Sequence, residues 1–350
     1  MYLMPDPECR LVTRSRRGHY LFMVVAFVAL AASSVGAAGL QFPEINKASV
    51  ERIMNVLADD GMEGRSAFSP AALRAAEFIA GEFDRIGLHE VPGNDEYLQH
   101  FKARRRGRGR RGGGQIDTEQ TEYELSNVVG MIAGNRTDEY VVFSAHYDHI
   151  GIRPGGDDVI ANGANDNASG TTAVIELARY FNSQPKPERT LLFVAFTAEE
   201  SGGLGSRYFS EQLDPDSIVA MFNIEMIGKP AVSGPNTAWI TGFERSSFGE
   251  ILQRAVEDTQ YEFYADPYPE QNLFFRSDNA TLARLGVPAH SISTTPIDVD
   301  PDYHQVTDHV DTLDLDHMTE TIRAIAMAGG TIISGAETPT RVDPSSVRRR

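Results

Sequence analysis

Tyr140-Val-Val-Phe-Ser-Ala145, running directly into His146-Tyr147-Asp148, is the stretch whose reading decides the fold. Six uncharged residues rich in Val and aromatics read as a buried strand, and this one stops on a histidine and a carboxylate. Two further runs repeat the arrangement. Thr190-Leu-Leu-Phe-Val-Ala-Phe-Thr197 leads into Glu199 and Glu200, and Val219-Ala-Met-Phe-Asn-Ile224 leads into Glu225. Strands that are apolar almost throughout belong to parallel sheets covered on both faces, where ligands gather beyond the carboxyl ends. Three strand ends, each carrying a ligand-type side chain, therefore predict one shared site, best read as a metal centre.

Outward from these runs, helix and strand patterns alternate. Ile45 to Ala58 and Pro70 to Ile86 show helical spacing, with Gly87 closing the second. Asn127 to Ile132 reads as a strand, and Thr171 to Phe181, Gly205 to Ser210, Ser247 to Thr259 and Leu313 to Ile333 read as helices or their starts. The alternation predicts an α/β fold with a mostly parallel central sheet and helices on both faces. A single catalytic domain over residues 38–336 is expected, since roughly 310 residues suit one large α/β domain. Arg104 to Gly114 holds six arginines and five glycines in eleven residues and reads as a flexible, solvated insertion at about 103–115. Residues 337–350 read as a frayed polar tail.

The N-terminus carries Arg10, Arg14, Arg16 and Arg17 before an apolar run, Leu21 to Ala32, that ends in small residues. This is the pattern of a signal peptide, with cleavage placed after Ala37. The run is shorter than the roughly 20 residues of a membrane-spanning helix, so an uncleaved anchor is the weaker reading. Ser15-Arg16-Arg17 also allows twin-arginine export. The expectation is an exported protein, periplasmic or secreted, with no stable membrane association once the signal is gone. The single cysteine, Cys9, falls inside that segment, which excludes a cysteine nucleophile or a Cys-ligated zinc. With 32 basic and 49 acidic residues the chain has a net charge of −17, an unsuitable surface for nucleic acid. Composition leaves the oligomeric state open.

At residue level, His146 and Asp148 lie two apart at a strand end, where both can point the same way. Asp148 is placed to accept the second ring proton of a metal-bound His146. Asp166, in Ala164-Asn-Asp-Asn-Ala-Ser-Gly170, stands before a helix; Asn167 or Ser169 can serve as cap, leaving its carboxylate available to bridge two cations. Adjacent Glu199 and Glu200 repel one another unless their roles divide, one holding metal and the other moving a proton for a metal-activated water. Glu225 sits in a largely apolar segment and requires a partner. His304, in Asp302-Tyr-His-Gln305, is the last ligand candidate, while His149 is read as structural.

The ordered set resembles the M28 family of co-catalytic zinc exopeptidases, which includes the bacterial leucyl-type aminopeptidases. The blocks that carry the likeness are Ser144-Ala-His-Tyr-Asp-His-Ile-Gly151, Gly163-Ala-Asn-Asp-Asn-Ala-Ser-Gly170, Ala195-Phe-Thr-Ala-Glu-Glu-Ser-Gly-Gly-Leu-Gly-Ser206 and Asp302-Tyr-His-Gln-Val-Thr-Asp308. The resemblance implies a mixed sheet and two zinc ions per chain. It implies that His146 and Glu225 bind one zinc, that Glu200 and His304 bind the other, and that Asp166 bridges them. Glu199 would be the general base with Asp148 behind His146, and peptides the substrates, cut at the N-terminal bond. Glu225 departs from the aspartate common at that place, being one methylene longer. A single-zinc glutaminyl cyclase and a carboxypeptidase are the alternative enzymes. Cyclase pockets are rich in tryptophan, whereas this chain has only Trp239.

Overall fold

The three quoted runs form three adjacent parallel strands at the centre of the sheet. A computed structural model of the chain describes residues 44–105 and 121–347. The expected signal segment and most of the arginine and glycine insertion lie outside those residues. Two helices lead in, α1 (Lys47–Leu57) and α2 (Pro70–Ile86). Asn46 caps α1, its carboxamide oxygen accepting from the Ala48 amide at 3.0 Å. Gly87 ends α2 in the left-handed region at φ 82°.

The strands β1 (His89–Glu90), β2 (Leu98–Arg104), β3 (Glu122–Ile132) and β4 (Arg136–His146) follow. A two-stranded ribbon, β5 (Gly151–Ile152) with β6 (Ile160–Ala161), precedes α3 (Ser169–Asn182). Next come β7 (Arg189–Phe196), α4 (Leu204–Ser210), β8 (Ile218–Ile224), β9 (Thr237–Ile240), α5 (Phe248–Ala255) and β10 (Glu262–Ala265). The chain closes with α6 (Asn279–Ala283), β11 (Ala289–Ser293) and α7 (Leu315–Ile333).

The main sheet runs β1-β3-β7-β4-β8-β11-β9-β10, with β2 also on β3. The pairs β4·β7, β4·β8 and β8·β11 are parallel, and β3 runs antiparallel to β7, so the sheet is mixed with a parallel centre. Its two faces separate by residue parity, as the pleat requires. Val141, Phe143, Leu191, Phe193, Ala220 and Phe222 pack towards α1, α2, α3, α5 and α7. Val142, Leu192, Val194, Phe196 and Met221 pack towards Phe209 of α4 and Leu282 of α6 on the other side.

The C-terminal segment differs from the expected frayed tail. Val342 and Val347 are buried with Ala283, Val287 and Ala289 on the second face. Arg189 donates to the Glu337 carbonyl at 2.8 Å and to Thr338 Oγ1 at 2.6 Å, and Arg341 donates to the Ile218 carbonyl at 2.9 Å. Two valines five residues apart in a polar stretch carry no periodic signal, yet they cover sheet surface that helices leave open.

Candidate metal centre

Parallel strands end together, and here β4, β7 and β8 bring His146, Glu199 with Glu200, and Glu225 to one edge. Asp166 arrives from the turn before α3. Asn167 performs the capping there, its side-chain oxygen accepting from the Gly170 amide at 2.9 Å, which leaves Asp166 to face the site. Gly163, at φ 57°, permits the approach: a Cβ would sit 2.3 Å from the Asp166 carbonyl and 2.5 Å from the His149 ring.

All five ligand candidates converge. His146 Nε2 lies 3.0 Å from Glu225 Oε1 and 3.3 Å from Asp166 Oδ1, while His304 Nε2 lies 3.0 Å from Asp166 Oδ2 and 3.1 Å from Glu200 Oε1. Asp166 thus presents one oxygen to each side. Two sets of potential ligand atoms, each within 4.8 Å, share that carboxylate: His146, Asp166 and Glu225, then His149, Asp166 and Glu200.

His149 is the residue that sequence reading left out of the site. It is fully buried, with Nδ1 3.2 Å from Glu200 Oε1 and its ring 5.8 Å from that of His304. Among the described residues, both His149 nitrogens and Glu200 Oε1 lack a well-aligned hydrogen-bond partner. A dication offers such lone pairs a partner, and a donor set of imidazoles and carboxylates with no thiolate suits zinc. The residues therefore fit the ions that the sequence resemblance implies.

Asp148 orients His146, but through its main chain: His146 Nδ1 is 3.0 Å from the Asp148 carbonyl and 3.7 Å from Oδ1. The carboxylate instead accepts from the Glu199 amide at 3.0 Å. The longer Glu225 is accommodated by division of its oxygens. Oε1 meets His146, and Oε2 accepts from Ser277 Oγ at 2.6 Å. His304 adopts a left-handed φ of 58°, a conformation that surrounding contacts must impose. Lys229 grips Asp300 at 2.5 Å and Asp302 at 2.7 Å on the same loop, Arg153 donates to the His304 carbonyl at 2.6 Å, and Tyr303 stacks on the imidazole at 4.0 Å. Asp308 fixes the bridging turn, accepting from the Asn165 and Asp166 amides at 2.8 and 3.0 Å.

The electrostatics follow from this crowding. Burial alone lowers His146, yet Glu225, Asp148 and Asp166 hold it well above the ordinary imidazole value. Burial likewise opposes the shift at His304, which Asp166 and Glu200 push up to about 10. Asp166 is held well below the carboxylate range by the same histidines against its own burial. Glu199 stands apart: burial, with Asp278, Glu225 and Glu200 nearby, raises it well above the ordinary value against the pull of His146. Its carboxyl lines a cleft of about 330 Å³. Leu273, Phe275, Arg276, Ser291, Ser293, Thr295 and Ile297 line it, and α4 and α6 add Ser206, Arg207, Ala280 and Thr281, which nothing in the sequence patterns marked.

The sequence model of peptidase family M28 matches residues 127–329, more than half of the 350-residue chain. A "Probable leucine aminopeptidase" of Trichophyton verrucosum is 28% identical over 219 residues, covering 59% of this chain and 57% of that protein. The chain thus spans a little over half the length of that relative. Among solved structures, BSAP, a zinc aminopeptidase from Bacillus subtilis, matches with a TM-score of 0.68 at 16% identity, over 85% of this chain and 98% of that one. A Bacteroides thetaiotaomicron glutaminyl cyclase bound to N-acetylhistamine matches with a TM-score of 0.62 at 17% identity, over 85% and 100%. At such identities the likeness to these structures is one of fold.

Proposed function

Because the chain belongs to peptidase family M28, we propose that it is an exported, zinc-dependent aminopeptidase that releases the N-terminal residue of peptides. The observation that carries this reading is the pair of ligand sets meeting on Asp166 at the strand ends, with Glu199 beside them. His146, Asp166 and Glu225 would hold one zinc; Asp166, Glu200 and His304 would hold the second, with His149 against Glu200. When bound, the zinc pair supplies Lewis-acid polarisation of the scissile carbonyl and makes water acidic enough to attack near neutral pH.

The chain's own groups do the rest. Glu199 takes the proton of the attacking water and passes it to the leaving amine. The Asp148 carboxylate fixes the Glu199 main chain, and Trp239, Leu273 and Ile297 offer an apolar wall for a substrate side chain.

The test uses protein recovered from an exported fraction, its N-terminus expected after Ala37. Unblocked di- and tripeptides should be cleaved, N-acetylated ones should not, and a chelator should abolish the activity. A peptide beginning with glutamine separates the cyclase alternative, since cyclisation yields pyroglutamate and no free amino acid. Cleavage that ignores N-acetylation, or survives exhaustive chelation, overturns the proposal. Asp166→Ala should lower zinc content from two per chain to one or none by elemental analysis, because among the described residues it removes the carboxylate shared by both ligand sets. Full occupancy in that variant would remove the bridge from the scheme.

A further inference from the structure

The cleft beside the candidate centre is lined by unlike groups. Its floor is acidic: Asp166, Glu199, Glu200 and Glu225. One wall is apolar, with Trp239 packed edge-on to Tyr268 at 5.8 Å between ring centroids. Three arginines, Arg207, Arg276 and Arg284, also line the cleft, in a chain whose net charge is −17.

In so acidic a protein, arginines lining one small concavity place positive charge beside the acidic floor. Arg207 and Arg276 are exposed and hydrogen-bond to neutral oxygens. Arg207 donates to the Gly202 carbonyl at 2.9 Å, and Arg276 donates to the Gln271 amide oxygen at 3.2 Å and the Tyr303 hydroxyl at 3.3 Å. Arg207 and Arg284 flank the place where α4 meets α6, marked by the 3.3 Å contact of Ser206 Oγ with Thr281 Oγ1. Two zinc ions would offset the charge of the four floor carboxylates. A guanidinium meets a carboxylate through two parallel N–H donors, a stronger and more directional contact than with a neutral amide.

We infer that Arg207 and Arg276 recognise a substrate carboxylate, so that the cleft selects peptides bearing negative charge close to the scissile bond. This rests on the aminopeptidase reading and adds the substrate class to it. At about 330 Å³ the cleft is at the small end of ligand sites, so the end of a dipeptide lies within reach of its walls. Two sources offer the same chemistry: the C-terminal carboxylate of a very short peptide, or an acidic side chain next to the cut bond.

Equilibrium binding to the zinc-loaded protein reads this recognition without turnover. N-acetyl-leucyl-glycine should bind at least about 10-fold more tightly than its C-terminal amide if the terminal carboxylate is the ligand. N-acetyl-leucyl-glutamate amide should beat the glutamine analogue if a side chain is. Either preference supports the inference and identifies the source. In Arg207→Gln/Arg276→Gln the preference should fall towards one, and Arg276→Lys should retain part of it. The unblocked peptides are then compared by kcat/KM, where the same ratio should appear. Equal binding of acid and amide in both pairs overturns the carboxylate site while leaving peptide cleavage standing. Absence of cleavage with the binding preference intact sinks the aminopeptidase reading instead.

Discussion

Glu199→Gln is expected to lower kcat by a factor on the order of 10² to 10⁴ while zinc content stays near that of the unaltered protein. The substitution keeps shape and hydrogen-bonding reach but removes the ability to accept and return a proton. Glu199 is placed for that task rather than for holding a cation. Its neighbour Glu200 is the one within 3.1 to 3.2 Å of His304 and His149, and Glu225 and Asp166 are the ones beside His146. The carboxyl of Glu199 opens on the cleft and is raised well above the ordinary range by burial and by the acids around it. A carboxylate raised in this way is a stronger base than an ordinary glutamate, so it takes the proton of a water more readily. Turnover and elemental zinc are measured on the same preparation. Near-native turnover would give the proton-transfer role to another group, and loss of zinc together with turnover would make Glu199 a ligand.

Much of this was legible because a central parallel strand must be apolar on both faces, so any charged residue at its end is conspicuous. His146, Glu199, Glu200 and Glu225 announce themselves in that way, and the structure ends β4, β7 and β8 where those residues begin or just before. Asp166 and His304 lie in turns, where no periodicity operates; residue type and position made them candidates, and the likeness of whole blocks supplied their roles. His149 escaped because a histidine three residues past a strand end has no pattern to set it apart. Only the fold of the loop about Gly163 shows that it faces Glu200. A helpful signal would have been its recurrence with Asp148 in one short segment, since the turn that aims the strand-end histidine carries the following residues past the same point. The α4 and α6 wall escaped for a different reason. Helices this short, seven and five residues, have little amphipathic signature, and what they face is decided by tertiary packing.

The largest stability effect is expected from a residue outside the chemistry. Arg65 is fully buried with φ 47°, and its guanidinium donates to four main-chain carbonyls: Leu57 at 2.5 Å, Tyr147 at 2.7 Å, Asn162 at 2.6 Å and Gly163 at 2.8 Å. Those carbonyls belong to the end of α1, to the turn after β4 and to the turn before Asp166. One cation thus ties together the segments that present His146 and Asp166. Burial pushes Arg65 down to about 10, partly countered by Asp308, Asp148 and Asp166, so it remains charged near neutral pH. Arg65→Met keeps much of the side-chain volume and removes the desolvation cost of the charge, which recovers part of the loss. It also strands the buried carbonyls of Leu57, Tyr147 and Asn162, which no methyl or sulfur can satisfy, while the Gly163 carbonyl keeps the Ala168 amide at 3.1 Å. Taking away one side of a buried charged network costs about 3–5 kcal/mol. For a domain of this size that is a fall in Tm on the order of 10 °C, read by calorimetry or circular dichroism. The turn before Asp166 should loosen with it, so zinc affinity should weaken even at temperatures where the variant is folded. An unchanged Tm would show that the freed carbonyls find water instead, and unchanged zinc affinity alongside a lowered Tm would confine Arg65 to holding the fold.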